Sequence, residues 1–99
     1  MTPIHVNYSQ ACSQARRLRR LAEDHRGAAA ELEGQRDHLH SAWRDPVGAA
    51  YGQAATNLAR EMRAAADELF RLAHLIESAA LEFKKQEEAA ARGAHGLAN

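Results

Sequence analysis

Apolar side chains recur in alternating steps of three and four residues along almost the whole chain, and this spacing predicts two long amphipathic helices. Both runs keep the seven-residue repeat of a coiled-coil seam. The second run has one irregularity, two consecutive steps of four around Leu58 and Met62. The predicted seam of the first helix is Tyr8, Ala11, Ala15, Leu18, Ala22, His25, Ala29, Leu32, Arg36, Leu39 and Trp43. That of the second is Val47, Tyr51, Ala54, Leu58, Met62, Ala65, Leu69, Leu72, Ile76, Ala79 and Phe83.

A single segment with turn chemistry, residues 43–48, separates the two runs. Pro46 removes a backbone donor and disfavours a helical conformation at Asp45, which is itself a strong N-cap. Asn7 and Gln10 have the spacing of a capping box, which places the first helix start near Asn7. The sequence therefore predicts helix one over about 7–42, a turn over 43–46, helix two over about 46–91, and a frayed tail over 92–99.

Folding the seams together about the turn gives a constant register, because the numbers of facing residues sum to about 90. Leu39 faces Tyr51, Leu32 faces Leu58 and Leu18 faces Leu72. We therefore predict a single all-α domain, an antiparallel two-helix hairpin.

A two-helix hairpin has no third element to cover its core, and several apolar side chains lie off the seam, among them Leu21 and Leu75. These features predict a partner chain and a four-helix bundle dimer. The side chains expected to pack in the hairpin or the dimer are Leu18, Leu32, Leu39, Leu58, Leu69, Phe70, Leu72, Ile76 and Leu81.

Composition narrows the function classes. The 13 basic and 13 acidic side chains give a net charge of zero, which argues against a nucleic-acid binder. Cys12 is the only cysteine, so neither an intramolecular disulfide nor a cysteine zinc cluster is expected. The first residues lack a signal-peptide pattern, and no apolar run is long enough for a membrane span.

Candidate catalytic chemistry is equally sparse. The six histidines form no Glu-x-x-His motif of the kind that builds di-iron bundles. The sequence suggests neither a nucleophile–base pair nor a glycine-rich phosphate loop. We therefore expect no enzyme activity, no metal site and no cofactor.

The turn and the chain length resemble the WXG family of small type VII (ESX) secretion substrates. The family pattern is Trp-x-Gly, then small residues, then an aromatic residue eight positions after the tryptophan. Trp43 and Tyr51 match it, and Val47 and Gly48 occupy the small positions. The chain departs from the pattern at Asp45, where the family has glycine.

The resemblance also implies an export signal near the end of helix two, an aromatic residue followed four positions later by an acid. Phe83 and Glu87 occupy those positions, with phenylalanine in place of the family's tyrosine. Spacing of four places ring and carboxylate on one helix face. The alternative is that Phe83 simply ends the seam and Glu87 is an ordinary solvated acid.

The family resemblance implies a protein that is cytoplasmic before export and then secreted, without a cleaved signal peptide, as a folded dimer. The expected partners are a second copy or a paralogous hairpin, and the motor ATPase of the secretion system. Two alternatives stay open: a cytosolic structural or adaptor hairpin that is not exported, and contact with a membrane after release.

Overall fold

The chain forms a helical hairpin in a computed structural model, which describes residues 8–98, with side chains through residue 93. Helix α1 spans Tyr8–Ala42 and helix α2 spans Pro46–Ala98. A turn at residues 43–45 joins them, and they contact each other extensively. The described residues contain no strand. The predicted all-α hairpin is confirmed, with overall dimensions of 81 × 20 × 14 Å.

The helix bounds follow the prediction at the turn and differ at the carboxyl end. Helix α1 ends at Ala42, and Pro46 is the first residue of α2. Instead of ending near Ala91, α2 continues through Gly93 to Ala98. Alanine-rich sequence favours the helix there, while an interior glycine costs only about 1 kcal/mol. The predicted cap at Asn7 lies outside the described residues.

The hairpin core consists of alanine. In each helix the most buried side chains recur every seven residues. Fully buried are Ala15, Ala22, Ala29, Ala59, Ala66 and Ala73, and Ala80 is 6% exposed. Because α1 ends at Ala42 and α2 begins at Pro46, facing residues sum to about 88. Two alanine series with the same period therefore oppose each other, which allows the helix axes to approach closely.

The predicted seam of α1 agrees with this core. Its three alanines are buried, and Leu18, His25 and Leu32 between them are half-buried. Leu39 is 39% exposed. Opposite it lie Gly48 and Gly52, and this stretch of the seam is open as a groove because those residues are small.

The predicted seam of α2 is wrong at alternate positions. Met62, Leu69, Ile76 and Phe83 are half-buried as expected. Leu58 and Leu72, however, are each 46% exposed, and the buried positions are the next residues, Ala59 and Ala73. Size explains the shift at these two positions, because alanine fits between closely spaced helices and leucine is placed on the flank. Ala66 and Ala80 keep the same series, buried in place of the predicted Ala65 and Ala79. The register constant is accordingly 88 rather than 90.

Candidate interaction surface

The seam divides the hairpin into two flanks of different chemistry. Leu21, Leu58 and Leu72 each directly precede a buried alanine of the core. By contrast, Arg19, Arg26 and Glu33 directly follow the half-buried positions of α1, and Arg63, Phe70 and Glu77 directly follow those of α2. The seam of each helix alternates a buried alanine with a half-buried residue. Because successive residues are about 100° apart, the residue before each alanine and the residue after each half-buried position lie on opposite sides of the seam.

One flank, here called the ion-pair face, carries charged side chains that join the helices. Among the described residues, three ion pairs join the two helices on this flank: Arg19 with Glu77, Arg26 with Asp67, and Glu33 with Arg63. A hydrogen bond from Arg63 lowers the pKa of the Glu33 carboxyl. Partly exposed ion pairs contribute little stability each, but their spacing along both helices matches a single antiparallel register.

Phe70 and Leu81, which were expected in the packing, lie on the ion-pair side. The Arg26 guanidinium lies 4.4 Å above the centre of the Phe70 ring, so Phe70 is covered within the chain. Leu81 is 42% exposed. Near the other end of the same flank, Arg36 donates a hydrogen bond to Thr56 at 3.1 Å.

The other flank, here called the apolar face, carries most of the exposed large apolar side chains. Seven of the eight such residues in the described part of the chain lie there; only Leu81 does not. The seven are Leu21, Leu39, Val47, Tyr51, Leu58, Leu72 and Leu75. Shallow grooves run between the helices on this side, one of them lined by Leu21, His25, Leu69, Leu72 and Leu75.

The apolar face exceeds what scattered surface leucines require. Single exposed apolar side chains are normal, whereas several large ones on one flank are typical of a candidate interaction surface. It runs from Tyr51 beside the turn to Leu75, which is about 36 Å at 1.5 Å per residue. Three of the predicted packing residues, Leu39, Leu58 and Leu72, are on it. Their packing in a dimer stays a prediction.

At the turn, an aromatic pair closes the end of the apolar face. The rings of Trp43 and Tyr51 lie 5.4 Å apart between centroids, with 37° between their planes. Gly48 is buried directly beneath Trp43. A β-carbon at residue 48 would lie 2.5 Å from the Trp43 carbonyl oxygen and 2.9 Å from its Cγ. Only glycine permits this contact, and the family resemblance gave residue 48 merely as a small position.

Asp45 caps α2 as the sequence predicts. Its Oδ1 accepts a hydrogen bond from the Gly48 amide at 2.8 Å, and its carbonyl accepts one from Ala49 at 3.0 Å. The Gly48 amide, with smaller contributions from Trp43 and the Val47 amide, lowers the pKa of the Asp45 carboxyl. The described residues include no positive φ, so this turn needs no glycine at residue 45 for its backbone conformation.

The two residues of the expected export signal lie one turn apart near the carboxyl end of α2. Phe83 is half-buried and lines a groove with Ala11, Ile76 and Ala79. Glu87 is exposed and follows Ala80 by seven residues, so it continues the alanine series of the core. Ring and carboxylate therefore share the side of α2 that bears the seam, beyond the described start of α1.

Two further titratable side chains, Cys12 and His25, make contacts within α1. Cys12 is half-buried beside Tyr8, and their hydrogen bond is the largest cause of a raised pKa of the Tyr8 phenol. His25 Nδ1 lies 2.8 Å from the Leu21 carbonyl oxygen. In the part of the chain that the structure describes, no three His, Cys, Asp or Glu side chains gather to hold a metal ion.

Comparison with known proteins adds no relative. No family model, no curated protein and no solved structure matches this chain. Among the described residues, neither helix is long and apolar enough to cross a membrane.

Proposed function

We propose that this protein is a partner-binding helical hairpin that pairs through its apolar face with a second helical hairpin. The observation that carries the proposal is the asymmetry of the flanks. The ion-pair face uses charged side chains to join the two helices, whereas the apolar face leaves leucine, valine and tyrosine side chains 39–60% exposed. Covering such a stripe with a second helix pair produces a four-helix bundle and removes this surface from water.

We further propose that the pair is exported, still folded, by a type VII secretion system, as the WXG resemblance implies. The resemblance of the Trp43–Tyr51 turn and of the Phe83–Glu87 spacing supports this step. In the proposed mechanism the hairpin presents Phe83 and Glu87 on one side of α2, and the motor ATPase reads them together with the partner's turn.

Pairing through the apolar face is tested by site-specific photocrosslinking in the native host. A photoreactive residue at position 75, on the apolar face, is expected to crosslink to a chain whose sequence has long helical heptads, identified by mass spectrometry. The matched control is the same residue at position 81, an exposed leucine on the other side of α2. Equal yields at both positions, or a crosslinked protein without helical heptads, would contradict the assignment.

Export is tested by measuring the chain in culture medium against a cytoplasmic marker for lysis. Phe83→Ala and Glu87→Ala are each expected to reduce export at least about tenfold, if each removes an interaction worth about 1.4 kcal/mol. Helicity should stay unchanged. Lys85→Ala, between the two positions and exposed, is the control. Normal export of both variants would remove the signal, and absence of the unsubstituted chain from the medium would favour a cytosolic adaptor.

A further inference from the structure

The apolar face is bordered on both long edges by carboxylates. Glu68 lines the groove that contains Leu72 and Leu75. Glu61 and Glu82 lie on the same face of α2, seven residues before and fourteen residues after Glu68. On α1, Asp24 follows Leu21 by three residues and Glu31 lies seven further on. All five are exposed. We call Asp24, Glu31, Glu61, Glu68 and Glu82 the acidic rim.

Positive charge is scarce on this border. At the equivalent positions of residues 8–93, Arg17 is the single arginine or lysine, and His38 is the one histidine. Arg71 lines the same groove as Glu68 and pairs with it, so it offsets one carboxylate of the acidic rim. Most basic side chains lie elsewhere, on the ion-pair face or the outer surfaces: Arg16, Arg19, Arg20, Arg26, Arg36, Arg60, Arg63, Lys84 and Lys85. In a chain of zero net charge, the border of the apolar face therefore carries an excess of acid, a local segregation of charge, while the other eight of the 13 acidic side chains lie away from it.

From this segregation we infer the chemistry of the partner: a different helical hairpin whose apolar face is bordered by lysine and arginine, rather than a second copy of this chain. The inference rests on the proposed pairing through the apolar face. Opposite charges at the edges of an interface favour association, whereas like charges placed together oppose it.

A second copy fits poorly in every orientation. Both the α1 edge and the α2 edge of the apolar face carry carboxylates. A second copy therefore brings carboxylates against carboxylates whether the two hairpins pair in parallel or antiparallel. Arg17 on the α1 edge and Arg71 beside Glu68 relieve this at two positions per chain. A basic-edged partner meets carboxylates along both edges, and its helices match the length and seven-residue period of the stripe.

The test uses a charge-reversed version of the chain as a defined probe. Glu31→Lys, Glu61→Lys and Glu82→Lys are combined, because these three acids make no ion pair among the described residues and lie on both edges. The probe retains the apolar face and gains a basic border. Sedimentation equilibrium gives the dissociation constants of the unmodified chain, the probe and their mixture.

The control has the same change in net charge away from the acidic rim. It combines Glu23→Lys, Asp37→Lys and Glu88→Lys, all exposed positions on the ion-pair side of the hairpin. Asp37 pairs with its sequence neighbour Arg36 within α1, and an exposed pair of this kind contributes little stability. Circular dichroism of each variant verifies that the helices are retained. Each association is measured at about 0.05 M and about 1 M NaCl, over which the screening length falls from more than 10 Å to about 3 Å.

The expected result is a mixed pair at least about tenfold tighter than either self-pair at low salt, with opposite salt responses. Salt should weaken the mixed pair and strengthen self-association of the unmodified chain. The control should not bind the unmodified chain more tightly than the chain binds itself. A tight, salt-independent self-pair would overturn the inference and leave pairing intact. Absence of association in every sample would overturn both.

Discussion

At the scale of single residues, the turn depends on three side chains with distinct tasks. Trp43 packs on Tyr51, Asp45 accepts the Gly48 amide, and Gly48 supplies the space that the Trp43 backbone occupies. Residue type and spacing were enough to predict the cap at Asp45 and the helix start at Pro46. The need for glycine at residue 48 was not predictable, since it follows from a backbone contact between residues five apart and not from an unusual φ.

Replacing Gly48 by alanine is expected to destabilise the hairpin by about 1–3 kcal/mol, as overpacking of a filled site does. The cause is the 2.5 Å approach of the new β-carbon to the Trp43 carbonyl oxygen. Gly52→Ala is the matched control, because its β-carbon would meet only Arg36 Cγ at 4.0 Å. That variant should be neutral or slightly more stable, given alanine's helix propensity. Urea unfolding followed by circular dichroism compares them; equal destabilisation would refute the steric explanation.

Two carboxylates predict the acid response. Hydrogen bonds from Gly48 and Arg63 lower the pKa values of Asp45 and Glu33 below their ordinary 3.8 and 4.5. The unfolded chain therefore binds these protons more readily, so this stabilisation is complete above about pH 5 and is lost as pH falls through the lowered values.

The urea midpoint should accordingly decrease below about pH 4.5, near the ordinary pKa of a glutamate. Asp45→Asn combined with Glu33→Gln should flatten that decrease, because asparagine still caps a helix and neither amide titrates in this range. An unchanged profile in the double variant would assign the acid response to other carboxylates.

At the scale of the helices, the seam of α1 was predictable and that of α2 only in part. In α1 the buried alanines alternate with Leu18, His25 and Leu32, so one periodic series fits. In α2 each core alanine follows a leucine or another alanine. Where it follows a leucine, hydrophobicity favours the leucine as the seam residue, although the alanine is the one that is buried. The irregular step at Leu58 and Met62 was the available warning. Placing Ala59, Ala66, Ala73 and Ala80 on the seam instead of the residue before each gives regular steps of three and four from Ala59 to Phe83.

Only a small side chain such as alanine fits at the core positions, because the two helices lie close together there. Ala66→Leu is expected to destabilise the hairpin by about 1–3 kcal/mol, since added methyl groups must separate the helices. Ala64→Leu, two residues away and exposed, should change stability by less than about 0.5 kcal/mol. Thermal unfolding of both variants measures the difference. Equal tolerance of leucine at 64 and 66 would mean that the seam lies elsewhere on α2.

At the scale of the whole molecule, the sequence predicted a thin hairpin that needs a partner, and the structure adds which side is available. A register error of one residue in α2 is sufficient to assign exposed leucines to the interior. Once Leu58 and Leu72 are placed on the flank, the apolar face and its acidic border become visible. The arrangement could not be read from α2 alone, because the flank is defined by where α1 lies.

The elongated shape affects how the molecular mass of the protein in solution can be measured. Its radius of gyration is 22.6 Å, against about 13 Å for a compact domain of this length. A single chain diffuses more slowly than a sphere of equal mass. On a gel-filtration column calibrated with globular proteins it will therefore elute early, at the apparent mass of a larger species. Stoichiometry has to be taken from methods that count mass independently of shape.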